Sequence, residues 1–83
     1  MSTKLFVGSL PLSFNNETLK QTFEKHGTVL SAKVVMDRDT NRSRGFGFVE
    51  MENPTDAAKA IKALNDSAID GRNIVVNEAK ARN

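Results

Sequence analysis

Apolar residues recur along this chain in two rhythms, one of about two residues and one of three to four. The short rhythm marks strands. Lys4-Leu5-Phe6-Val7 is a brief apolar run that stops at Gly8 before a turn at Pro11. Val29 to Met36 is rich in Val, Gly45 to Met51 alternates glycine and apolar residues, and Ile74-Val75-Val76 closes the series. The longer rhythm marks helices. Leu19 and Phe23 stand four apart after Asn15, a capping residue type, with Phe14 and Leu19 at the staple positions around that cap and Gly27 at the far end. Asn53-Pro54 reads as a cap followed by Pro at the first helical position, and Ala57, Ala58, Ile61 and Leu64 supply the apolar face behind it. The polar stretch Asp37 to Ser43 forms a turn region in which Asn41 can take positive φ, and Asp70-Gly71 makes a second turn.

The predicted order is β-α-β-β-α-β with short connections. Right-handed crossovers then favour an α+β, ferredoxin-like split-βαβ plait: a four-stranded antiparallel sheet in the order 4-1-3-2 with both helices on one face. The first and third strands lie side by side in the middle. Alternation along the third strand sends Gly45, Gly47, Val49 and Met51 to one side and Arg44, Phe46, Phe48 and Glu50 to the other. The side bearing Arg and Glu is the open one, because charges are almost never fully buried unpaired. Phe46 and Phe48 therefore share it, and Lys4 and Phe6 of the first strand join them while Leu5 and Val7 face the core. Each ring left in water forgoes roughly 1.5–3 kcal/mol of burial. A small domain bears three such losses badly, so something flat is expected to lie on them.

Composition narrows the alternatives. Eighty-three residues make one domain with a small core. The expected domain spans residues 3–80, with a flexible tail at 81–83. Cysteine is absent, which removes disulfides and thiolate metal sites. No long apolar run or basic-then-apolar N-terminus suggests a membrane span or a signal peptide. A net charge of +2, from 12 Lys and Arg against 10 Asp and Glu, tolerates a polyanion without announcing one. His26 precedes a helix-ending Gly, and Gly45-x-Gly47 is followed by no helix and no phosphate-binding Lys. There is no Ser-His-Asp set, no metal-ligand cluster, and no acylphosphatase-like pattern of Arg and Asn around a glycine loop. No enzyme activity, metal or cofactor is expected.

Arg44 to Met51, "RGFGFVEM", resembles the octapeptide of the RNA recognition motif, Lys/Arg-Gly-Phe/Tyr-Gly/Ala-Phe-Val-x-Phe/Tyr. "LFVGSL", Leu5 to Leu10, is similar to the paired hexapeptide of that family, and "AAKAIKALN" with "IDGRNIVVNEA" fits its second half. The likeness covers about residues 3 to 80 and is most similar to small one-motif proteins of bacteria. It implies that Phe6 and Phe48 stack two successive bases, that Phe46 packs against the sugars, and that Arg44 pairs with a phosphate. Lys4 and Lys33 would flank this platform, Arg38 and Arg42 would close over it from the loop, and Asn77 and Lys80 would meet a base edge or phosphate. Ser9 stands where Asn is usual, Met51 where Phe or Tyr is usual, and Asn41 in place of a loop Gly; all three are expected to serve the fold.

The implied partner is single-stranded RNA, with single-stranded DNA open to the same chemistry, for a non-catalytic post-transcriptional regulator. A flat aromatic platform suits unpaired bases, since a duplex keeps its bases stacked internally. A monomer is expected, in the cytoplasm, or in the nucleus of a eukaryote. The competing reading is a plait whose Phe face is covered by a partner protein or a second copy, as some domains of this family use it. Phe14 and Phe23 belong to the core in either case.

Overall fold

Both helices begin where a side-chain oxygen can take up free backbone amides. In the structure, a computed structural model that describes residues 2–69 and 71–79, α1 spans Asn16–Glu24 and the Asn15 side chain accepts from the Thr18 amide at 2.8 Å. Phe14 and Leu19, on either side of that cap, are both buried. Helix α2 spans Pro54–Leu64, with Pro at its first turn and the Asn53 side chain accepting from the Thr55 amide at 2.8 Å. Its inward stripe is Ala57, Ala60, Ile61 and Leu64. Ala58, expected on that stripe, is exposed. The i, i+3, i+4, i+7 set defines the face, and residue 58 lies about 100° around the helix from residue 57.

The strands are β1 (Thr3–Gly8), β2 (Val29–Met36), β3 (Ser43–Met51), β4 (Ala68–Ile69), β5 (Arg72–Asn73) and β6 (Val75–Glu78). Four of them form an antiparallel sheet in the order β2-β3-β1-β6, which is the expected topology. The ribbon β4–β5 was not foreseen. Ala68 pairs with Asn73 and Ile69 with Arg72 around a turn in which Gly71 has φ 81°. Two-residue strands are too short to show any alternation. The last strand also runs beyond Val76, because β1 continues to pair with it: Phe6 lies opposite Asn77 and Leu5 opposite Glu78. Asp70, Lys80 and the tail at 81–83 lie outside the described residues.

The core sits between the sheet and the helices. Leu5 and Val7 of β1, Val34 of β2, Val49 and Met51 of β3 and Val76 of β6 meet Leu19 and Phe23 of α1 and Ala57 and Ala60 of α2, all buried. Helix residues also reach the sheet edges. The Val34 amide of β2 donates to Asn16 Oδ1 at 2.7 Å, and the Val76 amide of β6 donates to Asn65 Oδ1 at 2.9 Å. Edge amides satisfied in this way are less open to pairing with another chain.

Candidate nucleic-acid interface

The two glycines of "RGFGFVEM" have different reasons. At Gly47 a Cβ would run into the Lys33 carbonyl oxygen and fall 3.0 Å from Val34 Cα, so the β2 backbone approaches too closely for a side chain, while the Leu19 methyl of α1, at 3.2 Å, would also have to give way. Gly45 does not face a helix as alternation suggests: a Cβ there would meet only the Leu10 carbonyl at 4.0 Å. Its requirement is conformational, φ 84°, in the region that costs other residues most. The Gly45 carbonyl accepts from the Leu10 amide at 2.8 Å. In β2 the pairing passes from Val34↔Gly47 to Met36↔Ser43, so β3 is irregular across residues 44–46. The regular alternation of β3 thus starts at Phe46. Arg44 is exposed, but simple period-two counting does not justify its place.

From Phe46 onward the faces are as expected. Gly47, Val49 and Met51 are buried on the helix side, and Phe46, Phe48 and Glu50 are half-buried on the other. Phe6 stands directly across from Phe48, and Phe46 stands across from Gly8. The three rings touch: centroids are 5.9 Å apart for Phe6–Phe46 and for Phe6–Phe48, and 6.4 Å apart for Phe46–Phe48. The first pair is tilted by 33° and the other two approach edge to face at 66° and 88°. Such geometry is favourable for aromatic pairs. The rings shelter one another, so their cost in water is smaller than three isolated rings would bear.

Cross-strand register places the polar groups around this cluster. Lys33 of β2 lies opposite Phe48, and Asn77 of β6 lies opposite Phe6. A single row, Lys33–Phe48–Phe6–Asn77, therefore crosses the whole sheet. In the next row Lys4 lies opposite Glu50, and Lys4 Nζ stands 5.7 Å from the centroid of the Phe48 ring, within cation–π range. The Ser2 hydroxyl donates to Glu50 Oε2. Arg42 is exposed at the base of the β2–β3 hairpin, where its carbonyl accepts from the Asp37 amide at 2.7 Å. Arg38 is exposed in the same hairpin, with Asn41 at φ 60° as its composition suggests. Lys80 lies outside the described residues.

One member of this face escaped the sequence reading. Val75 is 40% exposed and lies opposite Gly8. Alternation with buried Val76 carries the signal that would have found it. Glu50 was placed on the open side only as a charge that fixes orientation, yet it borders Phe48 along β3. Among the described residues no group of three His, Cys, Asp or Glu is placed to hold a metal ion, and no helix is long and apolar enough to cross a membrane.

The chain is 48% identical over 79 residues to glycine-rich RNA-binding protein 2 of Sorghum bicolor, covering 95% of this chain and 47% of that protein. It is 47% identical over 81 residues to a chloroplastic 28 kDa ribonucleoprotein of Spinacia oleracea, covering 98% of this chain and 35% of the relative. It thus spans less than half the length of either. The crystal structure of RNA-binding protein PG1 superposes with a TM-score of 0.91 at 44% identity, covering 98% of both chains. Both curated relatives are plant proteins, so the expected likeness to bacterial proteins finds no support in them. The RNA recognition motif family itself matches residues 5–75, a span that holds Phe6 of β1 and the whole of β3 with Phe46 and Phe48. By that match, and by a fold shared with its solved relative, this chain belongs to the RNA recognition motif family.

Proposed function

We propose that the chain binds single-stranded RNA on its helix-free sheet face and catalyses nothing. One observation carries this reading: three mutually touching phenylalanine rings on the two central strands, 5.9–6.4 Å apart, on the side away from both helices. Phe48 and Phe6 stack two successive bases, each worth about 1–3 kcal/mol. Phe46 packs against ribose. Arg44 meets the phosphate that joins the stacked nucleotides, where a guanidinium can bond in two places. Lys4, Lys33 and Arg42 supply further positive charge, and Asn77 reaches the outer base; the part expected of Lys80 falls outside the described residues. The names of the relatives, an RNA-binding protein and a ribonucleoprotein, agree with this reading. We read its role as post-transcriptional regulation by a monomer in the cytoplasm, while the spinach relative is named as chloroplastic.

The test is fluorescence anisotropy with labelled eight-nucleotide RNA, as a single strand and as a duplex. The single strand is expected to saturate at least tenfold earlier, because duplex bases offer no free face. Equal affinity for the two forms would refute a stacking platform. Sedimentation of the free protein addresses the rival reading: a stable dimer that dissociates on truncation of Phe46 would mean that a second copy covers the rings.

A further inference from the structure

The Phe48 end of the platform carries a charge that a phosphate-binding surface should avoid. Glu50 follows Phe48 on the same face of β3, at the one unspecified position of the family octapeptide. The plain explanation is a cross-strand ion pair with Lys4, its register partner. The structure does not show that pair: the ion pair found among the described residues joins Lys20 and Glu24, at 3.9 Å. The Lys4 ammonium instead leans over the Phe48 ring, 5.7 Å from its centroid. One oxygen of Glu50 accepts from the Ser2 hydroxyl, which uses one lone pair and leaves the carboxylate with further acceptor capacity on the face that bears Phe48. Lys33 stands on the opposite flank of Phe48, across the β2–β3 pairing. A base stacked on Phe48 is therefore bordered by a carboxylate, which only accepts hydrogen bonds, and by two ammonium groups, which only donate.

The four bases meet that border differently. On its Watson–Crick edge guanine offers two adjacent donors, N1–H and the N2 amino group, beside the O6 acceptor, with N7 as a second acceptor further round. A carboxylate matches the two donors and an ammonium matches O6 or N7. Uracil offers one donor between two acceptors. Adenine and cytosine place an amino group beside a ring acceptor, which a carboxylate repels. Polar groups held ready for one hydrogen-bond pattern reject a ligand that leaves them unpaired. Resting on the proposed stacking site, we infer that the Phe48 position selects guanine, with Glu50 as the reader of N1–H and N2–H and Lys33 or Lys4 as the donor to O6 or N7.

The experiment compares labelled hexamers of uridine in which one internal base is guanine, adenine, cytosine or inosine, with the all-uridine strand as reference. A bidentate base contact discriminates by about 1–3 kcal/mol, so the guanine strand is expected to bind the wild-type protein roughly tenfold more tightly than the adenine or all-uridine strands. Inosine, which lacks only the N2 amino group, should recover a small part of that gain. In Glu50→Ala the guanine, inosine and adenine strands should converge to within about twofold. Circular dichroism confirms that the variant is folded, and the inosine comparison tests the same contact without altering the protein. Binding of all five strands to wild type within twofold overturns the guanine assignment while leaving the stacking platform in place. A guanine preference that persists in Glu50→Ala overturns the role of Glu50. Binding of none of them overturns the platform and this inference together.

Discussion

Truncating one platform ring should separate binding from folding, and Phe48→Ala is the most informative case. The Phe48 ring is half-buried, and it touches Phe6 at 5.9 Å and Phe46 at 6.4 Å. Each aromatic pair contributes about 0.5–1.5 kcal/mol beyond its area, so losing two of them costs on the order of 1–3 kcal/mol of stability. A domain of this length is stable by roughly 4–12 kcal/mol, so Phe48→Ala remains folded. Phe23 provides the contrast. It is 0% exposed on the inward face of α1, and its truncation should cost about 3–5 kcal/mol. Binding ranks the two residues the other way. A lost base stack is worth about 1–3 kcal/mol, a 5- to 150-fold weaker Kd for Phe48→Ala at 25 °C. Phe6→Ala should behave alike. The double variant should lose less than the sum in stability, since the two rings support each other. Urea melts measure the first quantity and anisotropy titrations with a single-stranded RNA measure the second. A Phe48→Ala protein that unfolds as readily as Phe23→Ala, or that binds RNA like the wild type, would refute the claim that this ring lies on the platform and outside the core.

Other expectations follow from single contacts. Gly47→Ala should destabilise the domain by about 1–3 kcal/mol or more, seen as a lower urea midpoint, because its Cβ would run into the Lys33 carbonyl oxygen on a central strand. Ser9 has φ 58° and is exposed, so Ser9→Asn or Ser9→Gly should raise stability by up to about 1 kcal/mol in the same assay, because those residues enter the left-handed region at less cost. With Arg44 and two further cations of this face on phosphates, log Kd against log salt should have a slope of magnitude about 2 for single-stranded RNA. Arg44→Ala should reduce that magnitude by about 0.7, and an unchanged slope would remove Arg44 from the phosphate-binding set.

Much of this was legible without coordinates, for a local reason. A strand's faces and a helix's stripe follow from spacing alone. Leu5, Val7, Val49 and Met51 could therefore be assigned to the core, and Phe6, Phe46 and Phe48 to the other side, from period two. Caps are equally local, and Asn15, Asn53 and Asn41 all do what their types suggest. What period two could not convey was where it stops. Gly45 turns to positive φ, and the partner strand slips past residues 44–46, so neither the true reason for Gly45 nor the path of Arg44 could be had by counting.

Contacts between strands distant in sequence lay further out of reach. The chain by itself determined which residues face the helices and which face solvent, because those depend on neighbours one to four positions away. Only the tertiary structure decided that Lys33, Phe48, Phe6 and Asn77 fall in one row, that the rings shelter one another, and that Lys4 turns toward Phe48 while Glu50 bonds to Ser2. Those facts depend on the register between strands and on side-chain choices among several near-equal partners, and both are settled only when the packed sheet brings remote segments within a few ångströms.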